Sequence, residues 1–327
     1  MSGRRRVAVL MGGRSSEHEI SLASARSVAG ALDPDRYEVV EIEIGRDGSW
    51  KLPEPESEAG LLRALASVEV VLPVLHGPFG EDGTVQGLLE LAGVAYVGAG
   101  VAASAICMDK DLAKALLRAR GIPATSSVTL LEGDPIAHPF AYPVFVKPAR
   151  LGSSVGITKA RTQQELDPAV ALARQHDDKV LIEEHVSGTE VECSVLGNRV
   201  PIASLPGEIL PHSAAGQDWY DWSAKYDEGG MDLIVPPRIP EEQMRRVQEV
   251  SVDAFVATEC EGMARVDCFV SEGGEVLVNE LNTIPGFTAT SVYAKLFEAS
   301  GIPYPELLDR LIDLALERHA RRSKLVF

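Results

Sequence analysis

A hairpin late in the chain carries acidic side chains whose spacing could bind a metal ion. The segment Met263–Asn282 reads as two strands of alternating residues joined by a Gly-Gly turn, a connection common in β-hairpins. With the two glycines at the centre of the turn, Asp267 lies opposite Glu280. The same register places Arg265 opposite Asn282. Because side chains alternate between the faces of a strand, these four residues share one face.

Asp267 and Glu280 need a positive charge between them. Directly opposed residues of an antiparallel pair have Cβ atoms about 5 Å apart, so the two carboxylates would repel each other. A hard cation removes this repulsion, and the oxygens of Asp267, Glu280 and Asn282 are ligands of the kind that Mg²⁺ prefers. Mg²⁺ bound in this way usually takes its remaining ligands from nucleotide phosphates and water. The alternative is a solvated face on which Arg265 neutralises one acid.

The opposite face of the hairpin is apolar, which predicts that it is buried. With Gly273 and Gly274 as the central pair of the turn, Glu272 faces Glu275. The apolar face then consists of Ala264, Val266, Cys268 and Val270 on the first strand, with Leu277 and Leu281 on the second.

A candidate phosphate site lies in the loop Lys147–Gly156, between two short predicted strands. The loop combines a lysine at a strand end with glycines and two serines. Successive backbone amides in such a loop can surround a phosphate, and Lys147 can neutralise its charge. An ordinary Gly-Ser turn is the alternative interpretation. The chain contains neither GxxxxGKS nor GxxxxGKT, so this is not a Walker A loop.

The composition limits the class of protein. The 327 residues are enough for about two or three domains, and 45% of them are apolar. A net charge of -17 disfavours binding to nucleic acid, so any phosphate site must be a local region of positive charge. The four cysteines form no CxxC pair, and no signal sequence or membrane-spanning run is recognisable, so a cytoplasmic protein without a membrane partner is expected.

The first third of the chain alternates strands and helices, which predicts a mostly parallel sheet with helices on both faces. The predicted strands are Val7–Leu10, Val39–Ile44, Val68–Leu75 and Val94–Val97, and the helices are Ser21–Leu32 and Gln86–Leu91. Ligands of such sheets bind beyond the carboxyl ends of the strands. The segments Gly12–Glu19 and His76–Gly83 lie there.

The remainder predicts an α+β central unit followed by a third unit. The central unit contains a helix at Asp109–Arg120, strands at Val144–Lys147, Val155–Lys159 and Val180–Glu184, and a helix near Glu165–Gln175. The third unit contains strands at Glu190–Leu196 and Arg199–Ser204, helices at Glu241–Thr258 and Tyr304–His319, and the hairpin. The long irregular stretch Gly207–Gly230 is typical of an active-site lid.

Seven motifs, in the same order, resemble those of the D-alanine–D-alanine ligases, an ATP-grasp family. They are Leu10–Ser21, His76–Gly83, Met108–Lys110, Val146–Gly156, Lys225–Tyr226, Arg265–Asp267 and Asn279–Gly286. The resemblance covers nearly the whole chain. It implies an α/β, three-domain ATP-grasp fold, with an N-terminal parallel-sheet domain over 1–104, a central ATP-grasp subdomain over 105–188 and a C-terminal ATP-grasp domain over 189–327.

The resemblance also implies roles for individual residues. For ATP it implies contacts from Lys110, Lys147, Ser153, Glu183, Glu184, Val186 and Glu190. For two Mg²⁺ ions, which Mn²⁺ could replace, it implies the ligands Asp267, Glu280 and Asn282. For the first D-alanine it implies Glu17, with Ser153, His76 and Tyr226, and for the second substrate Lys225, Ser291 and Val292. Arg265 and the Gly286 amide are implied as the pair that stabilises the oxyanion.

The implied activity is the ATP-dependent, ADP-forming ligation of two D-alanine molecules through an acyl phosphate. The product would serve peptidoglycan precursor synthesis, and the resemblance implies that the enzyme is a homodimer. A sister ligase that uses D-lactate or D-serine as the second substrate is the alternative, and the pair Lys225–Tyr226 favours an amine over D-lactate. A regulatory ATP-binding module would be expected to lose Asp267, Glu280 or Arg265, and all three are present. The hinge residue His185 departs from other members, which leaves the packing of the adenine open.

Overall fold

A computed structural model describes residues 3–52, 60–152, 155–211 and 231–326 of the chain. Within these residues the chain folds into three sheets with flanking helices. Three residues predicted for the site, Ser153, Lys225 and Tyr226, lie outside the described residues. Most of the predicted lid lies outside them as well.

The first sheet confirms the predicted parallel arrangement. Its strands are β1 (Arg5–Gly12), β2 (Tyr37–Ile44), β3 (Trp50–Lys51), β4 (Val70–Pro73) and β5 (Ala95–Tyr96). Their order is β3-β2-β1-β4-β5, and all neighbours pair in parallel except β2 and β3. The helices along this part of the chain are α1 (His18–Ala31), α2 (Gly60–Ala66), α3 (Thr84–Ala92) and α4 (Val101–Met108). Since β2 and β4 flank β1, the loops after β1 and β4 form the crevice in which such sheets bind ligands.

The central unit is a four-stranded antiparallel sheet, as the predicted α+β unit requires. Its strands are β6 (Ser127–Leu130), β7 (Val144–Pro148), β8 (Thr158–Ala160) and β9 (Val180–Glu184), in the order β6-β9-β7-β8. Helix α5 (Lys110–Ala119) leads into the sheet, and α6 (Gln163–Ala173) packs against it. Asp109 begins α5, because its side chain accepts a hydrogen bond from the Leu112 amide at 3.2 Å.

The third sheet is also antiparallel and carries the hairpin. Its strands are β10 (Gly188–Gly197), β11 (Ile202–Ala203), β12 (Gly207–Pro211), β13 (Met231–Ile234), β14 (Gly262–Ser271) and β15 (Val276–Asn282). The order is β13-β12-β10-β14-β15, with β11 also paired to β10. The prediction of irregular structure from Gly207 is wrong for its first five residues, which form β12, and four of them, Glu208–Pro211, pair with β13. The remaining helices of the described residues are α7 (Glu241–Ala257), α8 (Val292–Ala299) and α9 (Tyr304–Arg322).

The predicted two-residue turn of the hairpin is wrong. The Ser271 amide donates to the Glu275 carbonyl at 2.9 Å, so these two residues pair and the turn between them has three residues, 272–274, rather than two. The strands next to the turn are therefore one residue away from the predicted register. On β15, Val276 and Val278 join the buried core in place of Leu277, which is only half-buried.

A bulge at Asn279 restores the predicted pairing farther from the turn. The register shifts by one residue at this point of the ladder. Asp267 consequently pairs with Glu280, and Arg265 pairs with Asn282, as predicted. The longer turn and the bulge therefore offset each other at the positions where the polar residues lie opposite one another.

Helix α9 brings the end of the chain back to the first sheet. Its residues Leu307, Leu311 and Ile312 are buried in one core with Val9 of β1 and Leu72 of β4. None of the helices in the described ranges is long and apolar enough to cross a membrane. The helix itself was predicted, at Tyr304–His319, but its packing against the first sheet was not.

The buried Arg318 links α9 to the end of β5. Only 3% of its surface is exposed, and its Nη2 donates to the Tyr96 carbonyl at 2.8 Å while Nη1 donates to the Gly98 carbonyl. The guanidinium carbon also lies 4.2 Å from the centroid of the Tyr96 ring. These contacts satisfy a charge that burial would otherwise strongly disfavour.

We expect Arg318→Met to lower the free energy of unfolding by about 2 kcal/mol or more, because two buried carbonyls lose their donor. Urea unfolding followed by circular dichroism measures the change. The control is Arg310→Met on the same helix, which removes an exposed pair with Glu306 and should cost less than about 1 kcal/mol. Equal stability of wild type and Arg318→Met would contradict this role.

Candidate active site

A cavity of about 390 Å³ lies between the central sheet and the third sheet. Its walls contain every described residue predicted to contact ATP, namely Lys110, Lys147, Glu183, Glu184, Val186 and Glu190. Asp267 and Glu280 of the hairpin also line it. The structure therefore places the described nucleotide residues and two of the three predicted metal ligands around one space, whereas the third, Asn282, does not line it.

One end of the cavity is suited to a flat ring. Phe145 and His185 stack with 5.9 Å between ring centroids and 17° between ring planes. The Lys159 ammonium lies 5.6 Å from the centroid of Phe145. Burial, together with this nearby lysine, lowers the pKa of His185, which favours a neutral, stacking imidazole. The departure at His185 therefore retains a planar side chain beside the hinge.

Glu183 joins two buried lysines. One carboxylate oxygen pairs with Lys114 and the other pairs with Lys147. Burial acts to raise the pKa of Glu183, but the attraction of Lys114 and Lys147 outweighs it and the net shift is downward. Lys147 also donates to the Asn279 side chain at 3.4 Å. Sequence reasoning missed Lys114, and its spacing of four residues from Lys110 on α5 was the available signal.

Lys110 connects the phosphate loop to the hairpin. Its ammonium donates to the Leu151 carbonyl at 2.8 Å and lies 3.2 Å from a Glu280 carboxylate oxygen. The lysine is buried, because it begins α5 directly beneath this loop. Lys110 thus supplies positive charge at the point where the two walls of the cavity meet.

Three carboxylates lie in a row across three neighbouring strands. Glu192 of β10 pairs with Asp267 of β14, and Asp267 pairs with Glu280 of β15. Sequence reasoning found the second pair but missed Glu192, because the register between β10 and β14 depends on strands distant in sequence. Like charges opposed in this way destabilise a sheet unless positive charge compensates them.

Arg265 provides this compensation. Its Nε and Nη2 each donate to Asp267 at 2.7 Å, and its Nε lies 2.9 Å from Glu192. Asn282 donates to Asp267 at 3.0 Å. Burial opposes the charge of Arg265, but attraction by Asp267 and Glu192 raises its pKa well above the usual value. Arg265 consequently remains fully charged inside the site.

A second polar cluster lies where the first sheet meets the loop after β15. His76 Nδ1 lies 2.9 Å from the Ile284 carbonyl, and Nε2 lies 3.2 Å from the Ser24 hydroxyl. Since a carbonyl only accepts, Nδ1 carries the proton and the Ser24 hydroxyl donates to Nε2. Burial lowers the pKa of His76, in agreement with a neutral ring. Ser24 also accepts from the Phe287 amide at 3.3 Å.

Glu17 lies beside both this cluster and the nucleotide cavity. The residue is buried, and a Cβ atom on Gly77 would lie 2.7 Å from its Oε2. Gly77 has a φ of 72° and no side chain, which leaves room for the carboxylate. A Cβ atom on Gly152, which lines the nucleotide cavity, would lie 3.7 Å from the same oxygen.

The remaining predicted residues lie at the start of α8. Ser291 is the residue before the helix, and its hydroxyl accepts a hydrogen bond from the Thr288 amide at 3.0 Å. Ser291 lies close to Gly286, since a Cβ atom there would be 3.3 Å from its hydroxyl oxygen. Val292 is buried in a small apolar cluster with Ile209. The structure thus brings Gly286 and Ser291 together and packs Val292 behind them.

Comparison with known proteins identifies the family. The family model described as "D-ala D-ala ligase C-terminus" matches residues 116–313, and "D-ala D-ala ligase N-terminus" matches 6–64 and 55–99. A D-alanine–D-alanine ligase from Solibacter usitatus is 48% identical, and the match covers 97% of both chains. The chain belongs to the D-alanine–D-alanine ligase family.

Solved structures of this family share the fold. A D-alanine–D-alanine ligase from Bacillus anthracis, solved in complex with ATP, has a TM-score of 0.81 and 30% identity, with 97% of this chain and 99% of that one covered. VanG, a D-Ala:D-Ser ligase from Enterococcus faecalis, has a TM-score of 0.83 and 37% identity, with 96% of this chain and 100% of that one covered. The chain therefore has the three-sheet ATP-grasp ligase fold.

In this ligase, Glu81 ties the loop after β4 to the loop after β15. Its two oxygens accept hydrogen bonds from the Gly77 and Ile284 amides, each at 2.8 Å. Burial and the neighbouring Glu17 raise the pKa of Glu81 to about 8. Since Ile284 lies two residues before Gly286, Glu81 positions the backbone that the family resemblance assigns to the oxyanion.

We expect Glu81 to make the ligase less stable as the pH rises from about 5 to 8. The pKa of Glu81 is raised from 4.5 to about 8 in the folded chain, so the folded state holds a proton that the unfolded state has lost. In Glu81→Gln this pH dependence should be reduced, by on the order of a few kcal/mol over the interval. Chemical denaturation at several pH values measures it.

The control for this experiment is Glu298→Gln, which changes an exposed glutamate on α8. Its curve of unfolding free energy against pH should run parallel to that of the wild type. If the curve of Glu81→Gln is also parallel to that of the wild type, the raised pKa of Glu81 is contradicted.

Proposed function

We propose that the chain catalyses the ATP-dependent, ADP-forming ligation of two D-alanine molecules to D-alanyl-D-alanine, for peptidoglycan precursor synthesis. The observation that carries the proposal is the convergence of opposite charges on one cavity. Lys110 and Lys147 line the same cavity as the carboxylates of Asp267 and Glu280, and Lys110 pairs with Glu280 at 3.2 Å. Such a site suits a nucleoside triphosphate together with its cations. The family relationship supports the same activity.

We propose the following roles for the nucleotide residues. Lys110 and Lys147 bind phosphates, because both ammonium groups are buried at the cavity wall. Glu183, Glu184 and Val186 surround the adenine beside the stacked rings, and Glu190 binds the ribose. Ser153, from the loop that follows Lys147, adds a phosphate contact.

Asp267, Glu280 and Asn282 fit two Mg²⁺ ions, or Mn²⁺ in their place. All three offer hard oxygen donors on one face of a paired hairpin, and the carboxylates oppose each other. Among the described residues, no group of three or more His, Cys, Asp and Glu side chains is placed to hold a metal ion by itself. The set here is two carboxylates and an amide. When bound, the ions would neutralise the charge of the phosphates.

The chemistry begins with activation of a carboxylate, which is a poor electrophile. Glu17 binds the ammonium of the first D-alanine. Tyr226 and Ser153 form hydrogen bonds with the Glu17 carboxylate and hold it in place. The D-alanine carboxylate attacks the γ-phosphorus of ATP, ADP leaves, and an acyl phosphate forms. Lys147 and Arg265 stabilise the charge on the transferring group. His76, whose two nitrogens bind Ser24 and Ile284, shapes the pocket as a neutral ring.

The second step joins the two amino acids. Lys225, Ser291 and Val292 form the pocket of the second D-alanine, whose amine attacks the acyl phosphate. The tetrahedral oxyanion is stabilised by Arg265 and the Gly286 amide, and phosphate then leaves. An acyl phosphate hydrolyses in water, so the lid must cover the site during the reaction.

The oligomeric state, location and domain division complete the proposal. The enzyme acts as a homodimer in the cytoplasm, without nucleic acid or membrane partners. Its domains are an N-terminal unit over 1–104, a central ATP-grasp subdomain over 105–188 and a C-terminal unit over 189–327.

We expect ADP release from MgATP with D-alanine as the only amino acid, at one dipeptide per ADP. A coupled assay for ADP, with the dipeptide measured by chromatography, tests this. Turnover that requires D-serine or D-lactate in addition would assign the chain to a sister ligase, such as the D-serine enzyme that VanG represents. A folded protein that binds ATP but releases no ADP with any of these would contradict the proposal.

We expect Asp267→Asn and Glu280→Gln each to reduce kcat by about 100-fold or more, because a metal ligand is lost from the transition state. Higher Mg²⁺ should restore part of the rate. The matched control is Glu275→Gln at the turn of the same hairpin, which should leave kcat and the Mg²⁺ dependence unchanged. If the two ligand variants keep wild-type Mg²⁺ dependence, the proposed metal site is wrong.

A further inference from the structure

Lys114 is a buried lysine that no step of the reaction uses. It lies one turn after Lys110 on α5, and only 1% of its surface is exposed. Its ammonium contacts the Thr125 hydroxyl and the Glu183 carboxylate. Burying an ammonium so completely is costly unless hydrogen bonds and an opposite charge compensate for the lost solvation. Unlike Lys110 and Lys147, Lys114 does not line the nucleotide cavity.

Glu183 connects Lys114 to the cavity. One oxygen of its carboxylate pairs with Lys114, and the other pairs with Lys147. Glu183 is itself 5% exposed, so little solvent screens these contacts. Contacts between the three side chains therefore run from the buried Lys114 on α5, through Glu183, to Lys147 at the wall of the cavity.

The charges of this line do not cancel. Lys114 and Lys147 carry two positive charges against the single negative charge of Glu183, which leaves a net positive charge. Without Lys114, the whole carboxylate would be available to Lys147, and the two would form a neutral pair. A neutral pair attracts a polyphosphate much less than an ammonium whose counter-ion is shared.

We propose that Lys114 is a positioning residue for the nucleotide phosphates: it occupies one oxygen of Glu183 and so keeps the charge of Lys147 available to them. This inference rests on the proposed use of ATP. Burial lowers the pKa of Lys114 to about 8, with Glu183 opposing the shift, so the residue is still charged near neutral pH.

Comparing ADP with adenosine separates this role from a structural one. Both ligands present the adenine and the ribose, but only ADP presents phosphates. Calorimetry in the presence of Mg²⁺ would measure both affinities in wild type, Lys114→Met and Lys114→Gln. Met removes the charge and the hydrogen bonds, whereas Gln removes the charge and keeps a donor for Glu183.

We expect both variants to bind ADP more weakly by on the order of ten-fold, because a charge near the phosphates is neutralised. Adenosine affinity should stay as in the wild type. In steady state, KM for ATP should rise while KM for D-alanine stays constant. In a Glu183→Gln background, where no carboxylate can neutralise Lys147, Lys114→Met should have little further effect on ADP.

Three outcomes would overturn the inference. Equal weakening of ADP and adenosine would mean that Lys114 only supports the packing of α5 on β9. Unchanged ADP affinity in Lys114→Gln would mean that its charge is not needed. An undiminished effect of Lys114→Met in the Glu183→Gln background would mean that Lys114 does not act through Glu183. A wild-type protein that binds neither ligand would instead contradict the proposed function.

Discussion

The site depends on the register of three antiparallel strands, which places Glu192, Asp267 and Glu280 directly beside one another. Three buried or half-buried carboxylates in a row are tolerated in a sheet only if positive charge neutralises them. Arg265 does this for Glu192 and Asp267, and Lys110 does it for Glu280. The strand pairing therefore fixes both the acidic residues and the places where cations are needed.

The central sheet presents the opposite balance of charge. Lys147 of this sheet and Lys114 of α5 share the single carboxylate of Glu183, which leaves an excess of positive charge beside the cavity that Asp267 and Glu280 also line. A chain with a net charge of -17 thereby gains a local region that attracts phosphate. A nucleotide with its metal ions complements both signs of charge at once, whereas either component alone complements only one. The arrangement thus favours binding of the complex.

The sequence predicted the parts of this architecture that depend on local patterns. The parallel first sheet, the α+β centre and the facing of Asp267 with Glu280 are confirmed, although that pairing arises from a three-residue turn and a bulge at Asn279. Alternation along a strand reveals neither a bulge nor the partner of a distant strand, so Glu192 was missed. Lys114 was missed for a related reason, since its buried contact with Glu183 joins residues that are 69 apart in sequence. The assignments of Glu17 and Gly286 came from the family resemblance, because nothing in their local pattern distinguishes them.

In the proposed reaction, the carboxylate of D-alanine is activated in the charged cavity by accepting the γ-phosphoryl group of ATP. The most direct test uses D-alanine labelled with oxygen-18 in its carboxylate, with mass spectrometry of the phosphate released. If an acyl phosphate forms, one labelled oxygen moves from the carboxylate to inorganic phosphate for each dipeptide made from fully labelled D-alanine. Phosphate without label, formed while dipeptide accumulates, would show that the carboxylate never attacks ATP and would contradict this account.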